Sequence, residues 1–342
     1  MESPGAATLL FEAILGYRVT QAVCVAAKLG IADYLEEGAR SSSSIAQVVG
    51  VPPESLHRLM RALASVGILE EAADGRFALL PAGTLLRSRA PDSLRAAAIF
   101  FGDHRHWTLW GNLIDAVTTG RPIRRDAEDA FAQRAASDPE GAAIFNNAMS
   151  ALTAPVHASL LAAYDFTGIQ TIVDVGGGQG ALMAAILTAY PGMHGVLFDI
   201  PAVIDVARAL IRTAGVERRC RLDAGDFFKE VTSGGDAYVL KWIIHDWDDS
   251  RSLQILNSCH AAMGADSKLL IIERILPNRA EKVPIPALAP FFADLNMMVL
   301  TPGRERTEQE YRALLEKSGF RVTRLVPTGP PFPHTVVEAV HA

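Results

Sequence analysis

Little in this chain marks it as secreted, membrane-spanning or nucleic-acid-binding. Its 342 residues contain three cysteines, Cys24, Cys220 and Cys259, an odd number at wide spacing that argues against a disulfide framework and fits a reduced, cytoplasmic protein. Positive charge is not in excess: 32 Lys and Arg stand against 38 Asp and Glu, a net charge of −6 with a pI of about 5.9. That balance argues against nucleic acid as the main partner. No basic region precedes the apolar N-terminal stretch, and Glu12, Arg18 and Lys28 interrupt it, so neither a signal peptide nor a membrane span is expected. There is no internal repeat, and the one short biased run, Ser41–Ser44, reads as a helix N-cap and turn. Apolar residues are plentiful, at 49% of the chain with a mean hydropathy of +0.18, enough for two domains, or for one large one with an appendage.

Among these residues the most informative are Asp174-Val175-Gly176-Gly177-Gly178-Gln179-Gly180. The apolar run Thr171-Ile172-Val173 precedes them, and a helical pattern with Leu182, Met183, Ile186 and Leu187 follows. A buried strand thus ends in a glycine-rich turn that opens a helix, where backbone N–H groups can approach a nucleotide-like ligand. The turn alone leaves three readings open. Gly176, Gly178 and Ala181 satisfy the loosened dinucleotide pattern. Asp174 suits a cationic amino group, such as that of S-adenosylmethionine, and would repel a pyrophosphate. A purely structural turn is the third.

The downstream pattern adds to the second reading. Val196-Leu197-Phe198-Asp199 reads as a strand ending in an acid that can take both hydroxyls of a ribose. Gly225-Asp226-Phe227-Phe228 supplies an acid and an aromatic face suited to adenine. Ala237 to Trp242 reads as another strand, running into Ile243-Ile244-His245-Asp246. A histidine beyond the carboxyl end of such a strand stands where a catalytic base belongs.

In the N-terminal part, a helix ends at Gly50, and Pro52 and Pro53 open another with Leu56, Leu59, Met60 and Leu63 on one face. Gly67 to Glu70, an Asp74-Gly75 turn and Arg76 to Leu79 then read as a two-stranded wing. This winged-helix pattern usually signals DNA binding, yet its candidate recognition helix, with Glu54, His57, Arg58 and Arg61, is only mildly basic. Leu94 to Asp165 reads as mostly helical. From Thr171 strands alternate with helices, and the last two strands, Arg321–Val326 and Thr335–Val340, lack room for a crossover and should pair antiparallel.

The strings Asp174-Val175-Gly176-Gly177-Gly178, Phe198-Asp199-Ile200-Pro201, Gly225-Asp226-Phe227-Phe228, Leu240-Lys241-Trp242-Ile243-Ile244-His245-Asp246-Trp247, Ile272-Glu273-Arg274-Ile275-Leu276-Pro277 and Pro302-Gly303-Arg304-Glu305-Arg306-Thr307, in this order, resemble the S-adenosylmethionine-dependent O-methyltransferases of small aromatic natural products. That family includes plant caffeate and flavonoid enzymes and bacterial antibiotic-tailoring enzymes such as the mitomycin and anthracycline methyltransferases; the bacterial branch is the nearer. The resemblance runs from about Leu15 to Val340. It implies an α/β, Rossmann-like class I methyltransferase sheet of seven strands with an antiparallel last hairpin, and an N-terminal α-helical winged-helix domain used for dimerisation rather than DNA. The implied domains are 1–90 for dimerisation, 91–165 as a helical linker contributing to the acceptor pocket, and 166–342 for S-adenosylmethionine binding and catalysis. The implied partners are a second copy of the chain and a small aromatic acceptor, with no nucleic acid and no membrane.

Asp174, Gly176, Gly178, Asp199, Ile200, Gly225, Asp226, Phe227, Lys241 and Trp242 are then the expected cofactor residues, and His245 the general base that removes the proton of an acceptor hydroxyl. The resemblance places Glu273 and Glu305 as acids that flank and orient the base. The plain alternatives are a capping histidine, a Glu273 paired with Arg274 or Lys241, and a surface Glu305 capping the next helix. Asp246, Asp248 and Asp249 invite a metal reading, but two of them fall at a helix start, where acids are favoured anyway, and no second acid cluster is evident, so no metal is expected. Expected acceptor contacts are His104, Trp107, Phe145, Asn146, Met149, Asp246, Asp294 and Met298, with Trp110, Phe291, Asn296 and Met297 as further candidates; core packing is the competing role for each. Three functional alternatives remain: N-methylation, a same-fold enzyme that performs hydroxylation or decarboxylation with the same cofactor, and a winged-helix regulator with a small-molecule sensor domain.

Overall fold

The computed structural model describes residues 5–123, 138–282, 290–329 and 333–342. The helical expectation over 124–137 and part of the proline-rich loop, 330–332, lie outside them. The chain forms two compact units, one of Met1–Thr108 with Ser137–Thr153, the other of Leu109–Ala136 with Ala154–Ala342.

In the first unit a 24-residue helix, Ala6–Leu29, ends at Gly30 in the left-handed conformation. Ser41 caps the helix Ser42–Val49 by accepting the Ser44 N–H, and Pro53 starts the helix Pro53–Ser65 at a position where no backbone donor is missed. Leu56, Met60 and Leu63 of that helix pack with Ile45, Ile31, Leu35 and Phe77 in the unit's core. The wing has three strands: β1 (Arg40–Ser41), β2 (Leu69–Glu71) and β3 (Arg76–Leu79), in the order β1-β3-β2. The two-residue strand β1 carries too little pattern to read in sequence. Much of the apolar surface of Ala6–Leu29 stays uncovered, with Leu10, Phe11 and Ile14 each more than half exposed. By length and hydropathy alone this helix could cross a membrane, despite its three charges.

The second unit is built on β4 (Thr171–Val175), β5 (His194–Asp199), β6 (Cys220–Ala224), β7 (Ala237–Lys241), β8 (Lys268–Glu273), β11 (Phe320–Pro327) and β12 (Thr335–His341). Their order is β11-β12-β8-β7-β4-β5-β6. β4 to β8 run parallel, and β12 alone runs antiparallel, to both β8 and β11. Alternate residues along each strand face opposite sides. Ile172, Leu197, Val239 and Ile272 enter one core with the helices Ala181–Ala189 and Pro201–Thr213. Val173, Phe198, Tyr238, Leu240 and Ile271 enter the other with Asp249–Ala262 and Glu308–Lys317. Burial on both faces is why these strands read as continuous apolar runs.

A separate parallel pair, β9 (Ile275–Leu276) with β10 (Arg306–Thr307), joins two segments 31 positions apart, Arg306 opposite Ile275. It sets the Glu305 segment beside the end of β8. Thr307 then starts the last helix with a full capping box to Glu310.

Candidate active site

The sheet reverses its strand order about β4, and the carboxyl ends of β4 and β7 flank that switch point, where open α/β sheets bind ligands. The turn after β4 holds Gly176 and Gly178 at φ +72° and +59°, a region that residues with a Cβ rarely adopt. A Cβ on Gly176 would also meet Ile243 at 2.6 Å, while at Gly178 the space is open. Asp199, at the end of β5, accepts the Gly178 N–H at 2.8 Å through Oδ2 and the Ile200 N–H at 2.7 Å through Oδ1. Asp226 accepts the Phe228 N–H at 3.0 Å and pairs with Lys229 at 3.1 Å. The Phe227 ring lies edge-on to Phe228, and Gly225 passes so close to the Phe198 ring that a Cβ would collide with it.

Asp174 is 3% exposed and its Oδ2 has no hydrogen-bond partner. Burial pushes its carboxyl up to about 7, against the pull of Lys241. Lys241 in turn is lowered to about 8 by its own burial, opposed by Asp174 and Glu273. A buried acid with an orphaned oxygen beside the glycine turn, which leaves open space at Gly178, fits a ligand that brings a cationic amino group. Trp242 is the only non-glycine among the described residues with positive φ, at +57°. That strain turns the chain out of β7, and the Trp242 indole has Lys241 Nζ 4.1 Å from its ring centre and the His334 ring at 5.3 Å.

His245 sits in a single 3-10 turn, Ile244–Asp246, just past β7. Its Nδ1 lies 3.2 Å from Glu305 Oε1 and 3.4 Å from Glu273 Oε2. Glu273 is fully buried, and its Oε1 accepts the N–H groups of Ile243 and Ile244 at 3.0 Å and of His245 at 3.4 Å. Glu305 is 4% exposed, and its own N–H donates to Asp294 Oδ1 at 3.0 Å. Burial alone would lower the imidazole pKa, but Glu273 and Glu305 outweigh it and raise it to about 10. Glu273 is pushed up by burial against the pull of His245, whereas in Glu305 the charge and bond of His245 overcome burial and hold the carboxyl below its ordinary range. Asp246 lies on the other side of the ring, its Oδ1 3.8 Å from Nε2.

The structure therefore brings together the three residues expected to do the chemistry. They also form an acid-rich cluster not evident in sequence, with ligand-type atoms of His245, Glu273 and Glu305 all within 4.8 Å of one another. Of the acids first considered for a metal, Asp248 caps the helix Asp249–Ala262 and Asp249 pairs with Arg306 and Arg304, whereas Asp246 stays beside His245. Of the expected acceptor contacts, Asp246, Asp294 and Met298 belong to the second unit, whereas His104, Trp107, Phe145, Asn146 and Met149 belong to the first. There, His104 and Trp107 line a cavity of about 460 Å³ with Tyr17, Gln21 and Lys28, and Phe145 packs on Phe100 at 5.8 Å. Trp110 and Asn296, of the second unit, bond to each other at 3.0 Å. Two residues escape a sequence reading. Arg306 looks like a surface cation beside Arg304 yet is fully buried, and His157 lies on the helix Pro139–Ala163 with an unpartnered, buried Nε2.

A seven-stranded sheet in this order, with a reversed strand next to its edge and a glycine turn and carboxylate at the switch point, defines a class I methyltransferase. Within that class the chain belongs to the S-adenosylmethionine-dependent O-methyltransferases: the family's O-methyltransferase domain matches residues 110–321 and its dimerisation domain residues 11–89. It is 39% identical to a phenazine O-methyltransferase of Lysobacter antibioticus, across 94% of this chain and 93% of that one. It is 37% identical to a mitomycin biosynthesis 6-O-methyltransferase of Streptomyces lavendulae, across 96% and 95%. Its fold matches that of human N-acetylserotonin methyltransferase in complex with S-adenosylmethionine, with a TM-score of 0.88 at 25% identity, covering 100% and 99% of the two chains.

Proposed function

We propose that this enzyme methylates a hydroxyl of a small planar aromatic metabolite, with His245 as the general base. The observation that carries the reading is the placement of His245 Nδ1 between two buried carboxylates at the carboxyl end of β7. With the Nδ1–H held by the carboxylates, Nε2 is the nitrogen that takes a proton once the ring is neutral, and the ring cannot turn away without breaking both contacts. Bound at the turn, the cofactor supplies an activated methyl on a sulfonium sulfur. Asp174 receives its amino group, Asp199 its ribose, and Asp226 with Phe227 its adenine. Gly176, Gly178, Ile200 and Gly225 present backbone at close range, and Lys241 and Trp242 close the site. Asp246, Asp294 and Met298 face the acceptor. The names of the relatives, phenazine and mitomycin methyltransferases, support a fused-ring aromatic from a tailoring pathway. The dimerisation domain and the uncovered apolar side chains of Ala6–Leu29 support a homodimer, and give that helix a burial that needs no membrane.

We read His245, Glu273 and Glu305 as an ion-paired base and its holders rather than a cation site, because the carboxylates already contact Nδ1. A panel of hydroxyphenazines and simple phenols with labelled S-adenosylmethionine identifies an acceptor. His245→Ala should then cut turnover by about 10²–10⁴-fold with S-adenosylhomocysteine affinity near wild type, and a chelator should leave the wild-type rate unchanged. A variant that keeps more than about a third of the wild-type rate removes His245 from the role.

A further inference from the structure

We propose that Arg306 is a positioning residue for methyl transfer: its buried guanidinium clamps the backbone of the turn that carries His245 and so fixes the imidazole against Glu273 and Glu305. The proposal rests on His245 being the base. Arg306 is 0% exposed, a state arginine almost never reaches without partners for all its donors. Its Nη1 donates to Ile244 O at 3.0 Å and its Nη2 to Trp247 O at 2.9 Å. These two carbonyls bracket His245 and Asp246. Nη2 also reaches Ser252 Oγ at 3.3 Å, and Nε and Nη2 both reach Asp249 Oδ1, at 3.1 and 2.8 Å.

The turn is thus held from two sides. Glu273 takes its N–H groups and Arg306 its C=O groups. A third contact comes from Gly303, whose backbone lies so close that a Cβ would collide with His245 O and Trp247 N. Gly303, Glu305 and Arg306 belong to one short segment, registered by the β9–β10 pair. Fixing the turn to this segment fixes the 3.2 Å contact between His245 and Glu305. Filling the same volume with an apolar side chain would avoid desolvating a charge, and the guanidinium's counter-ion Asp249 is about half exposed, so packing alone does not account for an arginine here. A lysine ammonium, a single point of three donors, cannot span both carbonyls and the carboxylate.

The groups that face His245 are Glu273 from β8, Glu305 from the Gly303 segment and Asp246 from its own turn. Tyr311, from the helix Glu308–Lys317, interacts electrostatically with both glutamates and with Arg306, and Arg274, His334 and Asp294 act on Glu305. A looser turn weakens the two carboxylate contacts and lets the His245 pKa fall.

The test uses full-length Arg306→Lys with [ε1-¹³C]histidine labelling, the His245 signal being assigned by its loss in His245→Ala. Folded sites are counted by S-adenosylhomocysteine titration. Cofactor affinity should stay within about twofold, while kcat per folded site falls at least about tenfold and the His245 titration moves down by about half a unit or more. An unmoved titration with kcat per site within about twofold of wild type makes Arg306 a packing residue and overturns the proposal. If Arg306→Lys does not fold, Asp249→Ala removes the counter-ion at a half-exposed position and must move both readouts the same way; no change there overturns it as well. If His245→Ala keeps its rate, the base reading fails, and the titration in Arg306→Lys still decides the clamp.

Discussion

Replacing Glu273 by glutamine should change the pH dependence of turnover in a direction opposite to simple damage. The carboxylate is fully buried and does two jobs: Oε1 accepts three N–H groups of the 243–245 turn, and Oε2 lies 3.4 Å from His245 Nδ1. A glutamine keeps an oxygen for the N–H groups, so the turn keeps its anchor, but it loses the charge. Opposite unit charges about 4 Å apart at an effective dielectric of about 20 attract by about 4 kcal/mol, a ceiling of about 3 pKa units. Glu305 remains at 3.2 Å and holds part of the effect, so the His245 midpoint should fall by about 1–2 units from its raised value. A raised midpoint keeps the imidazole protonated until the pH climbs past it. In the variant more of the base is therefore free at neutral pH, though each base is weaker and less well oriented. At high pH, where both enzymes are deprotonated, kcat should drop by about 10–100-fold; near pH 7 the two rates should approach each other. The measurement is kcat from pH 6 to about 11, past the raised wild-type midpoint, at saturating cofactor, with an acceptor whose hydroxyl does not titrate in that range. A penalty of constant size across the range, or a midpoint that rises, would refute the reasoning.

Two further outcomes follow from the same geometry. Asp199→Ala removes the acceptor of the Gly178 and Ile200 N–H groups and should weaken S-adenosylmethionine binding by about 1.5–3 kcal/mol in calorimetry; unchanged affinity in a folded variant would take Asp199 out of the site. Light scattering of dilute full-length protein should give the mass of a dimer, since Leu10, Phe11 and Ile14 otherwise face water, with an interface expected to exceed about 2,000 Å² as in permanent homodimers. A stable, fully active monomer would sink that claim and reopen the DNA-binding reading of the wing.

Strands and turns were readable from local chemistry. β4, β5, β7 and β8 are apolar on both faces, so they show as runs; the glycine turn shows because few other residues adopt its backbone; Thr335 to Val340 had to pair antiparallel because no crossover fits before it. The order of the motifs was enough to place the chain in its family. The sequence also placed His245 just past one strand and Glu273 at the end of another; that these strands are neighbours is decided by the sheet. It could not show that Glu305, 60 positions from His245, lies on the same imidazole nitrogen. Nor could it distinguish Arg306, which is fully buried, from Arg304 two residues earlier, which is half exposed. Charge type and spacing are the same for both, and only the β9–β10 register decides which one faces the turn. The raised proton affinity of His245 belongs to this second kind of fact. It arises from desolvation and from two carboxylates at contact distance, quantities that exist only once the chain has closed around them.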